Sequence, residues 1–544
     1  MGDERTSYAG RWVALLHGRI IAQGGTPEQT RRAAQSRYKE TPQVLFMPPS
    51  SPLAFPPLLD AVRAAIPSNL DIYLVGGAVR DALLGRRTHD LDFILAHDAI
   101  QLGRRVAKAL KADFYPLDPE RDTGRVIVAN DDGTRTSLDF AAWRGADLEA
   151  DLGGRDFTVN AIAYKLSDNT IHDPLGGGVD LKEKRLRACS PSAFTDDPLR
   201  ILRGVRLAAD FGFHILPETR AAMKAAAGLL VETSPERLRD ELFRILAGPR
   251  PAACLRALDL LEALEPVLPE LAALKGVEQP APHVHDVWEH TLAAVHHLEG
   301  ILSVLAAEHD AEQAADLFNG LLALRIGRYR QEIAESLAAP LTSDHPLRGL
   351  LFFAALYHDV AKPQSRKKDE EGQMRFWDHD QQGAEMVVKR ARRLALSNDE
   401  LQRLETIVRN HMRLLFHTNR LVGEGKPPSP RAVYRFFRDT GPAGVDLCLL
   451  ALADLRATYE QTLSQETWSA CLDVVRTMLE AWYEKREQQL TPLPLVNGDD
   501  LMREFNLSPG KQIGELLEAV REAQATGEVS TREQALELVR TKLA

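Results

Sequence analysis

Cysteine is scarce in this chain. Cys189, Cys254, Cys448 and Cys471 are the four in 544 residues, and none forms a CxxC pair. That excludes a disulfide framework and Cys-based zinc motifs, and suggests small buried thiols in a reducing compartment. No run of 18 apolar residues occurs, and Met1–Gln23 lacks the basic-then-apolar order of a signal peptide. No membrane partner is therefore expected, and a cytoplasmic location follows by default. Internal repeats and low-complexity tracts are also missing. Nor is the chain basic: its net charge is −10. The total conceals unevenness, because Lys389–Thr440 carries 12 Lys and Arg against 5 Asp and Glu, and Leu181–Arg250 has a net charge of +4. Phosphate binding needs a local basic surface rather than a basic protein. Arg413 and Arg435 are candidates for such contacts; solvated helix faces are the competing reading.

What is present is an ordinary globular composition, 44% hydrophobic and 26% charged, in a chain long enough for two to four domains. In residues 1–48 the run WVALLHGRIIAQGG predicts a hairpin and TPEQTRRAAQSRY a helix, together a small accessory module. A Pro-rich stretch over 49–57 reads as a linker. From 58 to 180 the β-type runs IYLV, LDFIL, GRVIVA and TSLDFAAW alternate with helical segments, which predicts an α+β head. Residues 181–275 read as a helical neck and body, 276–490 as a second helical domain, and 491–544 as a helical tail.

The segment YLVGGAVRDALLGRRTHDLDFIL carries the strongest signal. Ile72–Val75 reads as a strand, and Gly76-Gly77 lets the backbone approach a ligand closely. Ala78–Leu84 reads as a helix whose start presents free N–H groups to a phosphate. In the next strand Asp90 and Asp92 alternate with Leu91 and Phe93, so both carboxylates share one face. Two carboxylates side by side in a cleft suit divalent metal, and paired Mg2+ ions there would serve phosphoryl transfer by activating a 3′-OH and neutralising a triphosphate. A third carboxylate is expected on a neighbouring strand, where Asp139 in SLDFAAWR offers it; a solvated edge-strand Asp is the bland reading.

These residues bring a family into view. GGAVRDALLGRRTHDLD resembles the signature of class II nucleotidyltransferases, the bacterial CCA-adding enzymes and their poly(A) polymerase relatives. The similarity continues through DLGGRDFTVNAIAY, DPLGGGVDLKEKRLR, FTDDPLRILRGVRLAADFGF and SPERLRDELFRIL, in the family's order. The resemblance implies a polymerase-β-like head of mixed sheet followed by helical neck, body and tail. It assigns Asp90 and Asp92 to the metal-binding pair, Asp139 to the third carboxylate, and Gly76, Gly77 and Arg80 to the triphosphate. Arg155, Asp156 and Asn160 match the motif that positions the sugar, with Gly154 standing where many members have a second Arg. Asp196–Arg200, DDPLR, matches the base-reading motif, with Asp first where Glu is usual; Arg203 and Arg206 follow as further nucleotide-binding candidates. Asp197 as acceptor and Arg200 as donor suit C and A, which show an exocyclic amine beside an unprotonated ring nitrogen, and a wrong base would leave a buried polar group unpaired. An ordinary helix-start ion pair is the alternative use of the same two residues.

A second constellation lies in the helical middle. His290, His358-Asp359, His379, His411 and Asp454 are spread over apolar helical runs, and mixed imidazole and carboxylate donors suit borderline metals. The order H…HD…D resembles the HD-domain phosphohydrolases. That resemblance implies His290, His358, Asp359 and Asp454 as ligands, with His379 and His411 as the extra pair of two-metal members. It also implies a divalent transition metal or Mg2+ and hydrolysis of a phosphomonoester or 2′,3′-cyclic phosphate. The expected function is CCA addition to tRNA 3′ ends from CTP and ATP, with Mg2+ in the head. Poly(A) polymerase and CC-only or A-only addition are the alternatives within the family. A phosphohydrolase whose head merely grips RNA is the alternative of another class, disfavoured by the intact Asp90, Asp92 and Asp139.

Overall fold

The computed structural model describes residues 11–17, 19–24, 26–47, 53–67, 70–86, 88, 90–130, 134–308, 316–341 and 345–544. Part of the expected linker, residues 49–52, lies outside them. The chain forms two compact units, Met1–Leu230 and Val231–Ala544, and the fold class is α+β.

The first unit is built on a mixed sheet of ten strands among the described residues: β1 Arg11–Leu16, β2 Arg19–Gly24, β3 Gln43–Met47, β4 Tyr73–Val75, β5 Asp90–Leu95, β6 Asp113–Asp118, β7 Thr123–Ala129, β8 Arg135–Ala142, β9 Ala163–Lys165 and β10 Ile171–His172. Their spatial order is β2-β1-β3-β10-β9-β4-β5-β8-β7-β6. Within this sheet the pair β5–β8 is parallel, joined through the helix Ala99–Leu110 and the strands β6 and β7, and the other pairs are antiparallel.

The expected N-terminal hairpin and helix are β1, β2 and Pro27–Gln35, with Thr26 capping the helix through the Gln29 N–H. They do not stand apart as a separate module. β3, for which no strand was expected, pairs with β1 and meets β10 at Phe46 opposite Ile171, so the N-terminal strands extend the head's own sheet. Trp12 is buried against Phe46, ring centroids 5.3 Å apart.

The second unit is helical apart from the short hairpin Arg366–Lys368 and Met374–Phe376. Two of its helices, Leu347–Tyr357 and Ala443–Tyr459, bury nearly every side chain and form its centre. Their uninterrupted apolar runs leave no polar stripe to face water. The last three helices, Gly498–Phe505, Lys511–Ala525 and Arg532–Leu543, enclose a core of their own from Leu501, Ile513, Leu516, Val520 and Val539. No helix among the described residues is long and apolar enough to cross a membrane.

Candidate active site and metal centre

The head site grows out of the register of three strands. Asp92 on β5 stands opposite Val75 on β4 and opposite Asp139 on β8, and Asp139 in turn faces Arg125 on β7. In-register residues share a face, so the row runs Asp92–Asp139–Arg125, with Asp90 two positions along on the same face. The intervening residues use the opposite face. Phe93 stacks on Phe140 with centroids 4.9 Å apart, beneath the helix Ala99–Leu110. Burying each ring is worth about 1.5–3 kcal/mol, and a one-residue slip would exchange the faces. The apolar side of these strands therefore fixes where the carboxylates point.

Gly76 closes the site from β4. Its φ of 73° and ψ of −140° favour glycine, and a Cβ there would lie 3.1 Å from Asp92 Oδ2. The helix Gly77–Leu83 begins at that turn and presents its N-terminal N–H groups. Burial, with Asp139 and Asp90 nearby, lifts the Asp92 carboxyl to about 6 against the pull of Arg155 and Arg125. Three acids crowd one cleft at a cost that divalent cations relieve, so the donor set fits metal.

The nucleotide-binding candidates form a linked network. Arg80 is buried; its guanidinium donates to Asn160 Oδ1 at 2.7 Å, pairs with Asp81 at 2.8 Å and lies 4.4 Å from the Phe211 ring centroid. It braces the Gly77 helix against Asn160, close beside the Gly76-Gly77 turn. Asn160 donates to Asp156, which also accepts from the Phe157 N–H and pairs with Arg203 at 2.9 Å. Burial opposes the Asp156 charge, but Arg203 and these donors hold its carboxyl below the usual range. Arg155 pairs with Asp151 at 3.0 Å and Arg206 with Asp210 at 3.2 Å. Asp197 precedes the helix Arg200–Phe211 and accepts from the Leu199 N–H, while Arg200 donates to the carbonyls of Gly154, Arg155 and Ala193. The base-reading candidate is thereby tied to the loop that carries the sugar-positioning one.

The six residues expected at the second centre come together in the second unit. Among the described residues two groups of donors form: His290, His358 and Asp454, and Asp359, His379 and His411. They adjoin through Asp359, whose Oδ2 lies 3.4 Å from His290 Nε2 and 3.3 Å from His358 Nε2, and whose Oδ1 lies 3.5 Å from His379 Nε2. His358, His379 and His411 each donate Nδ1–H over 2.7 Å to a backbone carbonyl three residues back, of Ala355, Phe376 and Val408. In rings so held Nε2 faces inward, and in the neutral form it carries the lone pair that a metal would take. The Nε2 atoms of His379 and His411 face each other at 3.3 Å. A cation between them resolves that contact, and the set fits a two-metal centre.

Charge among these side chains follows the same geometry. Burial disfavours a proton on His358, but Asp359 and Asp454 outweigh it and lift the ring to about 9. His411, equally buried and facing His379 and His358, falls to about 4. A cavity of about 330 Å³ opens onto Asp359, Asp454 and His379 and is walled by Phe376, Trp377 and Met412. Two participants were not singled out in the sequence. Arg125 holds Asp139 with both oxygens at 2.7 Å, and Lys362 reaches Asp359 at 2.5 Å. Lys362 had a legible signal, its place one helical turn beyond Asp359. Arg435 and Arg413, considered for RNA, pair with Glu522 at 2.8 Å and Asp439 at 3.0 Å.

Comparison with known proteins bears on both units. Residues 72–187 match the Poly A polymerase head domain, 212–275 the family described as probable RNA and SrmB-binding site of polymerase A, 323–455 the HD domain and 476–539 tRNA nucleotidyltransferase domain 2. A CC-adding tRNA nucleotidyltransferase of Thermus thermophilus is 34% identical over 86% of this chain and 92% of its own length. The chain belongs to the tRNA nucleotidyltransferase and poly(A) polymerase family. Another member, an A-adding tRNA nucleotidyltransferase of Deinococcus radiodurans, is 33% identical over 85% of this chain and 93% of its own. The solved Thermotoga maritima CCA-adding enzyme complexed with tRNA shares the fold at TM-score 0.56 and 21% identity, covering 90% of this chain and 97% of the other. Membership makes the chain a nucleotidyltransferase, of a metal-dependent class with an HD domain. His290 lies before the residues matched to that domain, yet the fold places it beside His358 and Asp454 in one of the two donor groups.

Proposed function

We propose that the head adds C and A to tRNA 3′ ends from CTP and ATP, working in the cytosol. The observation that carries the reading is the row of Asp92 and Asp139 in register, with Asp90 beside them and the Gly76 turn against Asp92. Asp90, Asp92 and Asp139 would hold Mg2+, which supplies charge neutralisation at the triphosphate and a more acidic 3′-OH. Gly76 and Gly77 leave backbone room for phosphate, while Arg80 and Asn160 fix that turn. Arg155, Asp156 and Arg203 order the sugar side. Asp197 and Arg200 choose C or A, aided by Arg206 on the same helix. The names of the relatives, CC-adding, A-adding and, in Thermotoga, CCA-adding with tRNA, support this substrate class.

A second reading, CC-only or A-only addition, draws support from the two long relatives, each of which is named for part of the sequence. Incubation with trimmed tRNA, Mg2+ and labelled CTP or ATP separates the readings. Failure to incorporate CTP eliminates full CCA addition. Asp90→Ala should abolish incorporation and spare any activity of the second centre.

We further propose that this second centre hydrolyses a phosphomonoester or 2′,3′-cyclic phosphate. His290, His358, Asp359, His379, His411 and Asp454 would hold its ions, which supply an activated water. Lys362 keeps Asp359 ionised, and the apolar wall limits water at the site. His358→Ala should abolish hydrolysis of a cyclic nucleotide, assayed with Mg2+, Mn2+ or Ni2+, and leave nucleotide addition intact.

A further inference from the structure

Arg125 stands where a metal-binding head would be expected to place no cation. It is the cross-strand neighbour of Asp139 and grips that carboxylate at both oxygens, Nε to Oδ1 and Nη2 to Oδ2, each at 2.7 Å. Its charge is felt by Asp90 and Asp92 as well as by Asp139. The row of acids thus ends in a guanidinium that occupies the third carboxylate. An ordinary cross-strand ion pair on a solvated sheet face would look similar in isolation and contributes little. Two features separate this one from that case. Its carboxylate partner lies in register with a second, half-buried carboxylate, so the guanidinium answers a crowd of acids and not a single one. And the Arg125 side chain is 41% exposed, against 26% for Asp139, which gives it a route out to water without unfolding anything.

We propose that Arg125 is a built-in counter-cation of the resting head: it holds Asp139 while the metals are absent, is displaced when they enter, and so sets the divalent-cation concentration at which the site assembles. The proposal rests on the reading of Asp90, Asp92 and Asp139 as metal ligands. A bidentate guanidinium and a divalent ion compete for the same carboxylate oxygens and repel one another at short range. Arg125 therefore acts through Asp139 as a positioning residue. Arg125→Lys keeps the charge but loses the two-point grip, and should lie between wild type and Arg125→Gln.

The test is Mn2+ binding to the full-length protein by calorimetry and electron paramagnetic resonance, following the sites lost in Asp92→Asn so that the second centre does not contribute. Arg125→Gln should tighten those sites by at least about tenfold, and the Mg2+ midpoint for CTP or ATP incorporation should fall in parallel. In an Asp139→Asn background the same substitution should change Mn2+ binding much less, because the competition has been removed. Unchanged or weaker Mn2+ binding in a folded Arg125→Gln protein overturns the proposal and leaves an ordinary surface pair. If neither Asp92→Asn nor Asp139→Asn alters Mn2+ binding, the carboxylate reading itself fails, and the proposal with it.

Discussion

Gly76→Ala tests the head where backbone and chemistry meet. At φ 73° and ψ −140° an alanine is strained by about 1–3 kcal/mol. Its Cβ would also sit 3.1 Å from Asp92 Oδ2, close enough to move that carboxylate by a few tenths of an ångström. A control lies just past the other end of the Gly77–Leu83 helix. Gly85 has φ 68° and nothing within 4 Å of a Cβ, so Gly85→Ala carries backbone strain without the contact. Both variants should lower the melting temperature by several degrees, at about 2–4 °C per kcal/mol for a unit of this size. Gly76→Ala alone should also slow nucleotide incorporation, by up to about 100-fold, as expected when a reacting group is misplaced. Scanning calorimetry and single-turnover CTP or ATP incorporation measure the two effects separately. Equal loss of activity in both variants, or full activity in Gly76→Ala, would refute the claim that this turn positions Asp92.

The Asp92 carboxyl, lifted to about 6 from 3.8, gives a pH signature. Between about pH 4 and 6 the metal-free folded protein keeps a proton that the unfolded chain has released, so this group's contribution to stability falls as pH rises through that window. In EDTA, Asp92→Asn should gain on wild type by at most about 3 kcal/mol at pH 7.5 and by little at pH 4; a denaturant-midpoint gap that is flat or narrows with pH contradicts this. In the second centre, saturating Mn2+ or Ni2+ should raise the melting temperature of the stripped protein, by about 2.7 kcal/mol of stability at 100 times Kd. His379→Ala should reduce the bound ions from two to one by metal analysis; unchanged stoichiometry contradicts the pairing of His379 with His411. Glu522 accepts from Arg431 at 2.9 Å and from Arg435 at 2.8 Å across the helices Pro430–Thr440 and Lys511–Ala525. Each exposed pair is worth about 0.2–1 kcal/mol, so Glu522→Lys, or 0.5 M salt, should speed chymotryptic cleavage after Leu495, in the segment between Thr491 and Gly498, and equal cleavage rates would contradict this.

Much of the head was legible because its strands alternate. LDFIL and TSLDFAAW show a polar face and an apolar face in five to eight residues, and the carboxylates fall on the polar one. The register that sets Asp139 beside Asp92 was not legible. It depends on a parallel pair joined through a helix and two further strands, and no local pattern reports how such strands slide. Arg125 was invisible for a related reason: on an alternating strand it reads as a solvated residue until its cross-strand partner is known. β6 was missed because DFYPLD is exposed, lacks alternation and contains a proline. β9 and β10 were missed because two or three residues are too few for a period. In the second unit the six donors were recognisable by order alone, since helices bring together residues more than 160 positions apart only through packing. The Nδ1 bonds that aim three of the histidines are local, each to a carbonyl one turn back, and follow once the helices are known.

The meeting of β3 with β10 has a consequence for how this chain tolerates change. Phe46 opposite Ile171 is the one register pair there among the described residues, and β5 lies four strands farther in. The border formed by Arg11–Met47 also packs on Val179 of the head, so cutting it away should cost the head stability while the acidic row, whose register is set by β4, β5 and β8, keeps its place. That cut would uncover β10, whose two residues offer a stray strand too short a template for unwanted assembly.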